Sequence, residues 1–318
     1  PLASAEPLVS DTIRRIEPLV PLDRVRILTG RELVAPIRGA VQGIEDRHFL
    51  VEPRARGTAP VLAWAAHELA RQDPDAVMVS LHADHVIRPE ADFLALVAAA
   101  AEATGGHDRL YTLGMRPTRP ETGYGYIRRG APLGDSGAYE VDAFVEKPDA
   151  ATAIGYVDSG EYLWNSGIFI WRAATLLDEV RAHTPEIADL LPLLDRGDTA
   201  AFFQRAPSLS IDEGVLERSG RVGVFEARFQ WDDVGTWDAV ARTQAGRDGN
   251  VVRGDATVVE SSGSVIWNET DEPVVVFGAT DLVVVRVRGV TLVLPRDRAA
   301  DLKDLLAQLP SDVLERVQ

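Results

Sequence analysis

Short apolar strands alternate with amphipathic or alanine-rich helices along the first third of the chain, and this alternation narrows the possible folds more than any other feature. Strand-like runs and helical patterns take turns over residues 24–28, 32–41, 48–53, 60–70, 76–81 and 91–103. Strands that alternate with helices in this way predict a largely parallel sheet with helices on both faces. We therefore predict an α/β domain.

The end of the chain has a different character. From about Asn250 the sequence consists of short valine-rich runs separated by turn residues, such as PVVVFG and VTLVLP. Runs of this length predict short β-strands. We therefore predict two domains, 1–249 and 250–318, the second a small β domain closed by a helix from Arg296 to about Leu309.

The composition restricts the classes of ligand. With 46% hydrophobic and 26% charged residues and no long apolar run, the chain is predicted to be soluble and not to cross a membrane. It lacks cysteine, which excludes disulfides and thiolate metal sites and favours a cytoplasmic location. A formal net charge of −16 at pH 7 argues against nucleic-acid binding. Any phosphate must therefore be bound locally, by a few basic side chains, backbone amides or a metal ion.

Two aspartates from distant parts of the chain are candidates for a metal site. Asp84 follows the third predicted strand, and ligands of open α/β sheets bind beyond the carboxyl ends of strands. Asp233 lies in FQWDDVGTW, where the tryptophans indicate a fixed loop. Mg²⁺ takes hard oxygen ligands and is often held by one or two carboxylates together with substrate phosphates. Loop capping by Asp84 and capping of the helix near Thr236 by Asp232 or Asp233 remain open alternatives.

Three further stretches carry residues suited to a sugar phosphate. FVEKPD places Glu146 and Lys147 at a strand end; since adjacent strand residues point to opposite faces, these two are not expected to pair with each other. A solvated strand end is the competing interpretation. LWNSGIF sets Asn165 beside a Ser-Gly turn, where its amide either reads sugar hydroxyls or only stabilises the turn. TGYGYI offers Gly125 as a point where backbone can approach a ligand closely.

The order of these motifs resembles that of bacterial mannose-1-phosphate guanylyltransferases, the GDP-mannose pyrophosphorylases of the sugar nucleotidyltransferase family. The resemblance runs from near residue 1 to the last helix and rests on the series EP…GTAP, ADHVI, RPTRPETGYGYI, FVEKP, WNSGIF, SIDEGVLE and WDDVGTW. It implies a Rossmann-like nucleotidyltransferase domain with a mixed, mostly parallel sheet, followed by a left-handed β-helix-like domain. The implied reaction converts GTP and α-D-mannose 1-phosphate to GDP-mannose and diphosphate.

The resemblance also implies a role for each candidate residue. Asp84 and Asp233 match the family's two Mg²⁺-binding aspartates, and Lys147 matches the lysine that contacts the phosphate of the sugar phosphate. Catalysis of this kind is mainly positioning and neutralisation of charge, which makes these three the implied catalytic residues. The remaining implied contacts are to mannose, by Glu146, Asn165 and the backbone at Gly125, and to guanine, by Glu52, Pro53, Thr58 and Ala59.

Two departures from the family's pattern bear on activity. Gly57 stands where the family usually has asparagine, so base recognition is expected to be looser or to depend on backbone. The glycine-rich phosphate loop with which family members begin is not found, and the chain starts at Pro1. We therefore expect a fragment of a longer protein, or a truncated form, that turns over poorly by itself.

The motifs leave two other functions and one oligomeric state open. A non-catalytic sugar-nucleotide-binding or assembly subunit remains an alternative to the enzyme. A pyrophosphorylase for another sugar or nucleotide is the second alternative. The β domain of the family often takes part in dimer contacts, so the resemblance admits a homodimer.

Overall fold

The structure is a computed structural model that describes residues 6–244, 246–287, 289–310 and 313. Within these residues, no helix combines the length and the apolar character needed to cross a membrane.

The chain forms two compact units. The large unit comprises Val9–Ala83 and Ile87–Trp231, and the small unit contains Asp84–Val86 together with the chain from Asp232 onward. The predicted domains 1–249 and 250–318 include terminal residues that lie outside the described ones, and the boundary between these domains stays a prediction.

The helices of the first 231 residues are α1 (Leu8–Ile16), α2 (Arg31–Ala40), α3 (Thr58–Gln72), α4 (Glu90–Gly106), α5 (Ala150–Ser159), α6 (Ala173–His183), α7 (Pro185–Ala188), α8 (Leu191–Asp195) and α9 (Thr199–Arg205). Helix α5 illustrates how sequence sets the ends. Asp149 caps its first turn by accepting the Thr152 N–H at 2.8 Å, and Gly160 ends it in the left-handed conformation with a φ of 67°.

The strands up to residue 232 are β1 (Ile27–Thr29), β2 (Phe49–Val51), β3 (Val77–Ser80), β4 (Val86–Arg88), β5 (Leu110–Met115), β6 (Tyr126–Pro132), β7 (Ala138–Val145), β8 (Tyr162–Arg172), β9 (Val222–Ala227) and β10 (Gln230–Asp232). Strands β1 and β2 form a parallel pair. The main sheet of the large unit has the order β3-β8-β5-β9-β7-β6, and β6 also pairs with β8.

Helices cover both faces of the main sheet, as predicted. Along β8, Phe169 and Trp171 belong to the core formed with α3 and α6, whereas Ile168 and Ile170 belong to the core formed with α4. Because successive strand residues point to opposite faces, a stretch of strand buried on both sides is expected to be apolar at every position. Residues 168–171 of β8 meet that expectation, whereas Asn165 and Ser166 of the same strand are buried polar residues.

The sheet is mixed, as predicted, but the expectation of mostly parallel pairing is wrong, because most neighbouring strands of this sheet pair antiparallel. Strand β5 pairs in parallel with β9, and the β3–β8, β5–β8, β6–β7, β6–β8 and β7–β9 pairings are antiparallel. It follows that β3, β5, β6 and β9 run one way while β7 and β8 run the other. The reason is that β8 inserts between β3 and β5, a crossing that the local alternation of helices and strands does not reveal.

The small unit is built from short strands stacked in parallel. Its elements are α10 (Trp237–Gln244), β11 (Val251–Arg253), β12 (Ala256–Val259), β13 (Val265–Asn268), β14 (Val274–Phe277), β15 (Leu282–Val287), β16 (Val290–Pro295) and α11 (Leu302–Leu306). Strands β11, β13 and β15 form one parallel stack, and β12 and β14 form another. Strand β16 returns antiparallel along β15. In place of the single helix predicted after Arg296, a 3₁₀ segment over Arg296–Asp301 precedes α11.

The corners of this stack depend on a glycine and an asparagine. Gly254 has a φ of 78°, and a Cβ atom placed on it would lie 1.9 Å from the Asn268 carbonyl oxygen. The Asn268 side-chain amide in turn donates to the carbonyls of Asp255 and Glu272, both at 2.8 Å. Since no side chain fits at Gly254, the close approach of successive coils requires glycine there.

Candidate active site

The order β7–β6–β8 brings the three predicted sugar-binding residues together. Tyr126, the first residue of β6, stands opposite the last residue of β7 and the third residue of β8. Because both pairings are antiparallel, the next row contains Gly125, Glu146 and Asn165, and the Asn165 N–H donates to the Gly125 carbonyl at 2.8 Å. A Cβ atom on Gly125 would lie 2.6 Å from Glu146 Oε2 and 3.4 Å from the Asn165 Cβ. Glycine therefore keeps this row open.

Asn165 lies inside β8, so the predicted Ser-Gly turn beside it is wrong. The sequence resembles a turn because Gly167 has a φ of 70°, and the register between β5 and β8 shifts at this level, between Thr112 and Gly114. A glycine inside a strand often marks such an irregularity. The irregularity accompanies, and does not interrupt, the strand that carries Asn165.

The carboxamide of Asn165 has a fixed orientation. Its Oδ1 accepts from Thr112 Oγ1 at 2.8 Å and from the Gly167 N–H at 3.5 Å. Its Nδ2 donates to Asp212 Oδ1 at 2.8 Å. An amide nitrogen carries two hydrogens and an amide oxygen two lone pairs. Within the described part of the chain, one N–H of the amide therefore remains without an acceptor, whereas the oxygen is already saturated.

Glu146 and Lys147 pair with each other, contrary to the expectation from strand alternation. Strand β7 ends at Val145, and the Lys147 Nζ donates to Glu146 Oε1. The alternation rule fails because Lys147 has a φ of 47°, in the left-handed region that costs a non-glycine residue on the order of 1–3 kcal/mol. The hydrogen bond to Glu146 raises the pKa of Lys147. The Glu146 N–H donates to Glu217 Oε1 at 2.9 Å, which fixes the strand end.

Asp212 is a residue of this cluster that the sequence analysis missed. It is half-buried and opens a turn of π-helix over Asp212–Leu216. Burial, followed by repulsion from Glu146, raises the pKa of Asp212 to about 7, while Lys147 and the hydrogen bond from Asn165 act in the opposite direction. The motif SIDEGVLE marked the segment, but only the fold places its aspartate beside Asn165.

The segment predicted to receive the base is tied to the same π-helical region. The Thr58 Oγ1 accepts the Ile211 N–H at 2.8 Å, and the Ala59 N–H donates to the Leu209 carbonyl at 3.1 Å. Ala59 itself is fully buried. Gly57 has a φ of 79°, and a Cβ atom there would lie 2.5 Å from the Leu209 carbonyl oxygen. The departure from the family's asparagine at Gly57 thus has a steric cause in this chain.

Glu52 and Pro53 follow directly after β2. The Glu52 Oε2 is buried without a hydrogen-bond partner among the described residues, and burial raises the pKa of this carboxyl group. Pro53 is exposed. A buried acceptor without a donor is costly, and it suits a ligand that brings N–H groups.

The two predicted metal ligands both belong to the small unit. Val86, two residues after Asp84, and Val234, which follows Asp233, pack in the same hydrophobic cluster. Asp84 is exposed, and no hydrogen bond joins its carboxylate to the described residues, so loop capping by Asp84 has no support. The Asp233 Oδ1 accepts the Gly235 N–H at 3.3 Å.

The neighbouring Asp232 has a structural role. It is buried, accepts the Val234 N–H at 3.0 Å and pairs with Arg242, whose Nη2 lies 2.9 Å from Asp232 Oδ2. Burial raises the pKa of Asp232. The Thr236 Oγ1 accepts the Ala239 N–H at 3.2 Å and so caps α10. Neither aspartate is therefore needed as the cap of that helix.

The residues of this cluster lie in a region that matches a known protein family. A family model described as nucleotidyl transferase matches residues 37–247, more than half of the chain. The chain belongs to the nucleotidyl transferase family. A second model, described as a MannoseP isomerase/GMP-like beta-helix domain, matches residues 254–309 of this nucleotidyl transferase. The prediction of a β-helix-like C-terminal domain is thereby confirmed, and its left-handed sense stays a prediction.

Individual relatives confirm the predicted family resemblance. This nucleotidyl transferase is 39% identical over 279 residues to the xanthan biosynthesis protein XanB of Xanthomonas campestris pv. campestris (strain B100). The aligned region covers 85% of the chain and 58% of the relative. It is 39% identical over 284 residues to the mannose-1-phosphate guanylyltransferase of Escherichia coli (strain K12), covering 83% of the chain and 58% of the relative. The chain thus spans less than two thirds of the length of these relatives.

A solved structure shares the fold of both units. The crystal structure of mannose-1-phosphate geranyltransferase from Thermus thermophilus superimposes with a TM-score of 0.86 at 34% identity. The match covers 95% of this nucleotidyl transferase and 88% of the other chain.

Proposed function

We propose that this nucleotidyl transferase belongs to an enzyme that transfers guanylyl from GTP to α-D-mannose 1-phosphate, giving GDP-mannose and diphosphate. The observation that carries the proposal is the row of Gly125, Glu146 and Asn165, with Lys147 beside it. The motifs and the names of the relatives supply the substrate pair. Transfer of this kind depends mainly on positioning and on neutralisation of charge, and the row provides groups for both.

The polarity of the row suits a sugar hydroxyl. The second N–H of Asn165, which has no acceptor among the described residues, is a donor, and the Glu146 carboxylate is an acceptor. A hydroxyl group can accept from the first and donate to the second at the same time. The absence of a side chain at Gly125 allows the ring to approach the backbone closely.

Lys147 is assigned to the phosphate of the sugar phosphate. Its ammonium group is a compact point charge on a flexible stem, and its side chain is 61% exposed despite the hydrogen bond to Glu146. An arriving phosphate competes with Glu146 for this ammonium group. Glu146 is then released to accept from a sugar hydroxyl, so that binding of the phosphate and of the sugar support each other.

Mg²⁺ is assigned to Asp84 and Asp233. Their segments pack on one hydrophobic cluster of the small unit, and both supply the hard carboxylate oxygens that Mg²⁺ prefers. When bound, the ion supplies a Lewis acid that neutralises charge on phosphate oxygens. Asp232 supports the loop through its pairing with Arg242 and is not assigned to the ion.

Guanine is assigned to the segment that contains Glu52, Pro53, Thr58 and Ala59. The strongest support is the Glu52 Oε2, which has no partner among the described residues, since the Watson–Crick edge of guanine presents N–H donors that a carboxylate accepts. Adenine lacks the ring N–H on that edge, so Glu52 favours guanine. Thr58 and Ala59 are already bonded to residues 209–211, which makes them supports of the segment.

The proposal is tested by diphosphate release from the full-length protein with a panel of nucleoside triphosphates and sugar 1-phosphates, with and without Mg²⁺. GTP with mannose 1-phosphate is expected to be among the best pairs. A different best pair would make the protein a pyrophosphorylase for other substrates. Binding of mannose 1-phosphate without turnover by the full-length protein would instead identify a non-catalytic subunit.

The location of the protein and its partners are the remaining parts of the proposal. We propose a cytoplasmic enzyme, because a chain without cysteine suits a reducing compartment. The net charge of −16 supports small phosphorylated ligands over nucleic acid as partners. A homodimer stays a prediction.

A further inference from the structure

We propose that Asp212 is a positioning residue of the sugar site: it holds the Asn165 carboxamide in one orientation, so that Asn165 recognises only a hydrogen-bond acceptor of the sugar. This inference rests on the proposed function and names a specificity determinant within it. Asp212 need not touch the substrate to act in this way.

The hydrogen bonds around Asn165 leave the amide no second orientation. A 180° rotation would turn Nδ2 toward the Gly167 N–H, which can only donate, and would turn Oδ1 toward the Asp212 carboxylate, which can only accept when ionised. Thr112 is compatible with either orientation, because a hydroxyl group both donates and accepts. Asp212 is therefore the partner that makes the flipped amide most unfavourable.

Asp212 is itself held in place from both sides. The Ile211 N–H donates to Thr58 Oγ1 at 2.8 Å. In the middle of the π-helical turn, Thr184 Oγ1 donates to the Gly214 carbonyl. A Cβ atom on Gly214 would lie 2.8 Å from the Leu209 side chain, so the turn is also packed tightly. Turns of π-helix occur frequently at functional sites.

The same turn reaches the second member of the sugar-binding row. Glu217, at its end, accepts the Glu146 N–H at 2.9 Å. One short segment therefore fixes the donor at Asn165 through Asp212 and the acceptor at Glu146 through Glu217. The relative positions of donor and acceptor, which decide whether a hydroxyl fits between them, follow from this segment.

An aspartate is electrostatically unfavourable here, yet it suits this role better than asparagine. It lies close enough to Glu146 for repulsion between the two carboxylates. Asparagine could make the same hydrogen bond but could also turn its own NH₂ group toward Asn165, and two orientations of the pair would then coexist. Once Asp212 is ionised, which is complete above about pH 8, its carboxylate provides only acceptors and permits one orientation.

The test compares Asp212→Ala, Asp212→Asn and the control Glu213→Gln in the full-length protein. Glu213 is the exposed neighbour, bonded locally to Ser210. Affinities for mannose 1-phosphate, glucose 1-phosphate and GTP are measured by calorimetry at about pH 8.5, where Asp212 is ionised. Loss of one hydrogen-bond partner predicts that Asp212→Ala binds mannose 1-phosphate about tenfold more weakly, with a similar loss of discrimination against glucose 1-phosphate and with unchanged GTP affinity.

Rescue distinguishes positioning from a general structural role. Asp212→Asn is expected to fall between Asp212→Ala and the wild type. Glu213→Gln, which removes a charge that acts on Lys147 and therefore on both sugar phosphates alike, is expected to keep the wild-type discrimination between them. The proposal is overturned if Asp212→Ala keeps wild-type discrimination between the two sugar phosphates, whether its affinities are unchanged or fall equally.

A measurement without ligand separates this inference from the proposed function. In the wild type, the two side-chain N–H protons of Asn165 should exchange with solvent at different rates by NMR, because only one is bonded to Asp212. In Asp212→Ala the two rates should converge. Unchanged rates overturn the inference, whereas a wild type that binds no sugar 1-phosphate refutes the proposed function alone.

Discussion

Replacement of Asp212 by asparagine should change how the stability of the protein depends on pH. The carboxyl group has an ordinary pKa of 3.8, and in the folded protein burial and repulsion from Glu146 raise this pKa to about 7. Between these values the folded protein binds more protons than the unfolded chain, so the free energy of unfolding decreases as pH rises. Asparagine does not titrate, and the variant lacks this contribution.

The size of the effect follows from the shift. One pKa unit corresponds to about 1.4 kcal/mol, so a rise from about pH 5.5 to pH 7 removes at most about 2 kcal/mol through Asp212. Because the side chain is only half-buried, solvent screening reduces this figure, and we expect about 1 to 2 kcal/mol. Above about pH 8 the contribution is constant, since Asp212 is then ionised in both states.

Urea unfolding of the wild type and Asp212→Asn at intervals from about pH 5.5 to pH 8.5 measures the effect. The difference in free energy of unfolding between the two proteins should shift in favour of the variant by about 1 to 2 kcal/mol across this range. Glu213→Gln, a change in the same turn, should follow the wild type. A pH-independent difference between wild type and Asp212→Asn would refute the electrostatic reasoning.

Three further predictions concern other sites. Asp233→Asn should abolish Mg²⁺-dependent turnover of the full-length protein and keep the fold, and unchanged turnover would remove Asp233 from the metal site. Asp232→Asn should instead lower the free energy of unfolding by about 3 kcal/mol, because it breaks a buried ion pair. Lys147→Ala should raise the KM for mannose 1-phosphate more than the KM for GTP, and the reverse order would contradict the assignment of Lys147 to the sugar phosphate. Lys147→Gly should be about 1 kcal/mol more stable than Lys147→Ala, because glycine tolerates the positive φ at this position. A more stable alanine variant would contradict the backbone argument. Gly254→Ala should destabilise the protein by at least about 3 kcal/mol in thermal or urea unfolding, and Gly278→Ala, at a positive φ with open space around it, by only about 1 kcal/mol; equal losses would exclude the steric argument.

The sequence predicts where the helices and strands of this protein lie better than it predicts which strands pair with one another. The alternation of strands and helices indicates an α/β unit because burial on one or both faces imposes a period on each element. The order of strands depends on contacts between distant residues, and no local pattern encodes that β8 lies between β3 and β5. The same limitation explains why the sequence predicts a turn beside Asn165, since the glycine that suggests the turn lies within β8.

The residues of the candidate site show the same difference between what a local motif reveals and what only the fold reveals. Glu146, Lys147 and Asn165 stand in recognisable motifs, so the sequence identifies them, but it does not predict that Lys147 bonds to Glu146. Asp212 stands in a motif whose chemistry becomes evident only when the π-helical turn brings it 2.8 Å from the Asn165 amide. The contact spans 47 positions of sequence and depends on tertiary packing.

The placement of Asn165 within β8 restricts how this protein could acquire a new substrate. Strand β8 pairs with neighbours on both sides at this level, so its backbone is held by two ladders and cannot shift to admit a differently shaped sugar. Divergence in sugar preference must then proceed by exchange of single side chains in the row or by remodelling of the loops around it, which tolerate change far better than a central strand. Selection can tune what the row accepts while the sheet that carries it stays the same.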